Sequence, residues 1–122
     1  MFCKFSVAAT LAALLCFPAA NAVNLCIKAK TPAYAYDAAR ILADVAANKD
    51  KCDTRGRLWN CHAFYNKGNP LPPGAKYETA YINNPPGAAR VLISYTGTFG
   101  VDGVATHSYF TWNHYSKFCQ ID

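Results

Sequence analysis

Four cysteines, Cys26, Cys52, Cys61 and Cys119, lie in the roughly one hundred residues that follow an export leader, and no other feature constrains the fold as much. The leader is read from its three parts. Lys4 gives a positive start, Val7 to Phe17 an apolar run, and Ala20-Asn21-Ala22 a small-x-small cleavage site, which puts the mature start at Val23. Residues 1–22 are therefore expected to be a secretory signal that removes Cys3 and Cys16, and residues 23–122 a single domain. The apolar run is too short for a membrane anchor and none follows it, so the expectation is a secreted, extracellular monomer with no membrane contact. A domain of this size buries only about two-thirds of its unfolded surface and gains from cross-links. Four cysteines allow three connectivities. The expected one joins Cys26 to Cys119, tying the termini, and Cys52 to Cys61, closing a short loop. The zinc alternative lacks CxxC spacing, and no metal or cofactor is expected.

The order of elements follows from periodicity. Val23 to Lys30 reads as a short strand, and Thr31-Pro32 as a helix entry with the threonine as N-cap. From Ala33 to Ala47, Tyr34, Ala38, Ile41, Leu42 and Val45 recur at helical spacing and form one apolar face. Asn48 to Arg57 is a polar loop, Leu58 to Tyr65 an aromatic-rich strand, and Asn66 to Ala75 a glycine- and proline-rich loop. Lys76 to Ile82 is a strand in which Glu78, Ala80 and Ile82 face one way and Tyr77, Thr79 and Tyr81 the other. After the turn at Asn83-Asn84-Pro85-Pro86-Gly87 come two more strands, Arg90 to Tyr95 and Val104 to Tyr109, and then a closing segment that brings Cys119 to the sheet edge. The fold class is α+β, one N-terminal helix packed on a twisted antiparallel sheet.

On the last two strands, Val91, Ile93 and Tyr95 are expected to point inward and to leave Arg90 on the opposite face. With Val104, Thr106 and Ser108 inward, His107 would share that face. Glu78 on the preceding strand and His62 further upstream extend the set. A carboxylate, an arginine and two histidines supply the base, the acid and the fixed positive charge that phosphodiester transfer needs. After Lys4 is removed from the twelve basic residues, the eleven left still exceed the seven acidic ones, which suits a phosphate-bearing partner.

The segments Pro86-Gly87-Ala88-Ala89-Arg90-Val91 and Gly103-Val104-Ala105-Thr106-His107, with Tyr77-Glu78 upstream and Phe118-Cys119 near the end, resemble the fungal guanyl-specific ribonucleases of the microbial ribonuclease superfamily. The resemblance implies a secreted endoribonuclease, a toxin or effector acting on or inside a target cell, with single-stranded RNA as partner. In that reading Glu78 is the general base toward the ribose 2'-hydroxyl, assisted by His62. His107 protonates the leaving 5'-oxygen and Arg90 binds the phosphate, giving a 2',3'-cyclic phosphate and then a 3'-phosphate. The substrate-binding positions it implies are Asn60, Tyr65, Asn66, Lys67 and Tyr109. Asn60 stands where the family carries a tyrosine, and Tyr65-Asn66-Lys67-Gly68 replaces the family's guanine-reading loop without its acidic residue. The competing reading is a ribonuclease-like scaffold, weak or inactive in catalysis, that grips RNA or a host protein through aromatics among Trp59, Tyr65, Tyr81, Tyr109 and Trp112.

Overall fold

One helix crosses a five-stranded antiparallel sheet in the computed structural model, which describes residues 23–53, 57–82 and 87–121. The leader, the turn residues 83–86 and Asp122 lie outside the described residues, as do 54–56 in the polar loop. The helix, α1, spans Ala33–Ala46. The strands are β1 (Leu58–Phe64), β2 (Lys76–Ile82), β3 (Arg90–Thr96), β4 (Val104–Thr111) and β5 (Cys119–Gln120), and they pair in that order. The α+β expectation is met. So is the disulfide pairing, with Cys26 bonded to Cys119 and Cys52 to Cys61.

Helix α1 forms because its apolar residues repeat every three or four positions. It buries Ala35, Ala38, Ala39, Ile41, Leu42, Val45 and Ala46 on one side. Those residues meet Leu58, Ala80, Ile82, Val91, Ile93 and Phe110, the helix-facing side of the sheet. Truncating a fully buried side chain here, Leu42→Ala, removes about 2–5 kcal/mol. At the helix start Pro32 itself takes the N-cap position, and the Thr31 hydroxyl donates to the Ile27 carbonyl (2.7 Å) instead of capping the helix. The expected strand from Val23 to Lys30 reduces to one parallel bridge, Leu25 with Gln120, followed by a 3-10 turn at Lys28–Lys30. Two-residue β5 leaves nothing longer to pair with.

The β3–β4 loop closes on the C-terminus of α1. The Gly100 and Gly103 N–H groups both donate to the Ala46 carbonyl (2.9 and 3.0 Å), and a Cβ at Gly103 would come within 2.9 Å of that oxygen. Asp102 accepts from the Thr98 N–H (2.8 Å) and fixes the loop's bend. This loop sets a register in which Arg90 faces Thr111 and Ser94 faces His107, with an irregularity just beyond, where Tyr95 pairs with Ala105. The extra residue corrects the expected alternation. Ala105 packs toward the helix, whereas Val104, paired with Thr96, does not.

The other face of the sheet carries a second, smaller core. Leu71, Tyr77, Leu92 and Tyr109 are buried together, with Val23, Phe64, Tyr115 and Phe118 packed around them. Two loops cover that face, residues 65–75 through Leu71 and residues 112–118 through Tyr115. No helix among the described residues is long and apolar enough to cross a membrane.

Candidate functional site

Cross-strand partners share a face, so the register places every candidate residue. Trp59, Tyr81, Arg90 and Thr111 form one row across β1 to β4. His62, Thr79, Leu92 and Tyr109 form the next, and Phe64, Tyr77, Ser94 and His107 the third. All three rows lie on the face away from α1.

Glu78 is not among them. It pairs with Ala63 and Ile93, in phase with Ala80 and Ile82, and so it stands on the helix side of the sheet. The expectation that it shares a face with Arg90 and His107 is corrected by this register. The residue is 8% exposed, and burial pushes its pKa up while the nearby His62 works against the rise. Burial, and after it the Glu78 charge, raises the Tyr95 phenol, a ring packed against the helix-side core. The residue that occupies the second row on the far face is Thr79, whose hydroxyl is within 2.9 Å of the Tyr115 hydroxyl and donates to the Val91 carbonyl (3.1 Å).

Arg90 and His107 share a face but not a neighbourhood. Four residue steps along β3 take Arg90 to Ser94, the partner of His107, which is about 13 Å at the rise of a strand. Arg90 is 5% exposed and already engaged. Nη1 donates to the Gly87 and Ala89 carbonyls, and Cζ sits 3.6 Å from the centre of the Tyr81 ring and 6.0 Å from that of Tyr115. Nε is buried without a hydrogen-bond partner, and no ion pair to Arg90 forms among the described residues. The charge is held by carbonyl dipoles and ring faces, not by a carboxylate. His107 is exposed midway along β4, where its Nδ1 accepts from Gln120 Nε2 at 3.3 Å and its backbone N–H donates to Ser94 Oγ (3.1 Å).

His62 does reach the upper rows. A bulge at Asn60, which has φ of 54°, turns β1 so that His62 faces Thr79. Its Nδ1 donates to the Asn60 carbonyl (2.7 Å), which leaves Nε2 on the outer side of the ring. Its ring meets Tyr81 edge-on at 6.1 Å, and Trp59 meets the same tyrosine at 4.7 Å. The result is a contiguous patch of Trp59, His62 and Tyr81 stacked above Arg90.

The expected base-binding residues divide in two. Asn66 is buried with φ of 52°, and its side chain is fully used. Nδ2 donates to the Leu71 carbonyl and Oδ1 accepts from the Leu71 N–H, both at 2.9 Å, which folds the 65–75 loop onto the sheet. Tyr109 is 1% exposed, inside the second core, where burial and, after it, Tyr109 push the Tyr77 phenol up to about 12. Both expectations of base contact are corrected here, since neither side chain reaches solvent. Tyr65, Lys67 and Asn60 are exposed on the β1 side.

Comparison with protein-family models, with curated proteins and with solved structures finds no match. The site must therefore be judged on its own chemistry. No group of three histidine, cysteine, aspartate or glutamate residues is placed to hold a metal ion among the described residues.

Sequence reasoning put Thr79 on the face opposite Glu78 but gave it no role, and it missed Thr111, Tyr115 and Leu71 as residues of that face. The signal for Thr79 was present: Ala80 and Ile82 fix the phase of β2, and Glu78 shares their phase. For Tyr115 and Leu71, both in loops, no periodicity marks the inward residue.

Proposed function

We propose that this chain binds single-stranded RNA on a ribonuclease-like scaffold and does not cleave it. One observation carries the reading: the register separates Glu78 from Arg90 and His107. Transphosphorylation needs a base and an acid on either side of one phosphate, with the reacting atoms about 3–3.5 Å apart, and a sheet thickness or about 13 Å of strand cannot be bridged by side-chain motion. The far face is also packed with Leu71, Leu92, Tyr109 and Tyr115.

Support for binding comes from what remains exposed. Trp59, His62, Tyr65 and Lys67 follow one another along β1 and the turn after it. Stacking on such rings is worth about 1–3 kcal/mol per base and tolerates any sequence. The excess of eleven basic over seven acidic side chains left after Lys4 departs with the leader adds attraction to the phosphate backbone. In this reading the protein is exported behind its leader and works as a secreted, monomeric, ribonuclease-like effector.

A metal-independent endoribonuclease is the second reading, favoured by His62 lying near enough to the buried Glu78 to oppose the rise in its pKa. The two are separated by incubating purified protein with a fluorescein-labelled oligonucleotide and following both anisotropy and chain ends. Binding that weakens in Trp59→Ala and Tyr65→Ala and falls with added salt, without release of 2',3'-cyclic phosphate ends, is the expected result. Release of those ends that disappears in His107→Ala overturns the proposal in favour of the enzyme.

A further inference from the structure

A groove of about 830 Å³ opens where the sheet ends at β5, between the N-terminal segment and residues 112–119. It is not part of the Trp59–His62 patch, which lies at the opposite edge on β1. Leu25, Ile27 and Trp112 border it at 64%, 60% and 51% exposed, and Tyr34 contributes to its wall. Three large apolar side chains bared around one groove are a surface awaiting cover. Among the described residues its charged side chains are Lys30 and Lys117, and no acidic one lines it.

The backbone at this edge has a specific geometry. The Cys26 N–H donates to the Gln120 carbonyl and the Gln120 N–H donates to the Asn24 carbonyl, each at 2.8 Å, which is the pattern of a parallel bridge centred on Leu25. The polar groups of alternate residues in an extended chain point to opposite sides, so the N–H and C=O of Leu25 point away from β5. No described residue bonds to either. An outward donor and acceptor beside an apolar groove is the template that an added strand uses.

We propose that this groove docks an extended, acidic peptide segment of a partner protein. Its backbone pairs with Leu25, its apolar side chains cover Leu25, Ile27 and Trp112, and its carboxylates meet Lys30 and Lys117. The outward N–H and C=O of Leu25 select a peptide over a nucleic acid, because an extended peptide offers the matching backbone acceptor and donor at strand spacing. The inference does not depend on RNA binding at the β1 side.

The test is to pan a phage-displayed library of random twelve-residue peptides on the purified protein, then synthesise the enriched sequences with a fluorescein label and measure anisotropy. Enrichment of sequences pairing large apolar residues with Asp or Glu is expected. Their affinity should fall about tenfold or more in the Lys30→Glu/Lys117→Glu double variant and in Leu25→Asp, and hold in Trp59→Ala. Bound peptide should also slow hydrogen exchange at the Leu25 amide, a readout that surface charge alone does not move. The lysine variants alter only exposed side chains, so loss of fold does not confound them. Absence of acidic enrichment, affinity indifferent to charge reversal, or unchanged exchange at Leu25 overturns the proposal. So does displacement of the peptide by a uridine oligonucleotide whose own binding is lost in Trp112→Ala, which assigns the groove to nucleic acid.

Discussion

Arg90 and Glu78 show how much a side chain's meaning depends on where its neighbours put it. The Arg90 guanidinium touches two carbonyls with one nitrogen while its plane covers the Tyr81 ring, an arrangement that only a flat, delocalised cation can satisfy. Arg90→Lys should cost about 1–3 kcal/mol in urea unfolding, the range for stranding buried hydrogen-bond partners. Glu78 has the opposite character, being a buried carboxyl held above its ordinary pKa. A folded-state pKa above the unfolded value means that the native state binds more protons between the two, so stability falls as pH rises through that window. Glu78→Gln should therefore raise the unfolding midpoint at neutral pH. The gain should vanish as pH drops below the 4.5 of a free glutamate, and melts across a pH series will show it.

At the level of elements, the two disulfides do different work. The Cys26–Cys119 bond spans 93 positions and ties the N-terminal bridge to β5, while Cys52–Cys61 spans 9 and fastens the polar loop to β1. On loop entropy alone, replacing the first pair by alanines should cost about 4–5 kcal/mol and the second about 2–3 kcal/mol, a ranking that guanidinium titration of the two double variants checks. The 65–75 loop is held differently, by Asn66 acting as a surrogate backbone toward Leu71. Asn66→Ala leaves the Leu71 N–H and C=O without those partners, and a loss of about 1–3 kcal/mol in thermal unfolding is expected.

Across the whole molecule, the sheet is packed on both faces, and the second core explains the distribution of exposed groups. Leu71, Leu92 and Tyr109 fill the middle of the face away from α1, and the exposed histidines stand around them, His62 on the edge strand β1 and His107 midway along β4. Leu71→Ala should lower stability by about 2–5 kcal/mol through the cavity it leaves, and the opened face should still fail to cut RNA, because Glu78 stays on the helix side. Calorimetry together with an assay for cyclic-phosphate ends reads both halves of that expectation.

Much of this was written in the chain itself. The helical spacing of Ile41, Leu42 and Val45 specified α1, alternation specified the phase of β2, and the cysteine positions suited the pairing that formed, because periodicity and chain length act locally. What tertiary structure decided is which strand residues face one another. The β3–β4 register, fixed by a loop closing on the Ala46 carbonyl, set Arg90 against Thr111 instead of His107, and the packing of α1 chose the face on which Glu78 stands. A motif records which side chains a chain carries. Their distances depend on loop closure and on the choice of buried face, and both are settled only when the whole core assembles.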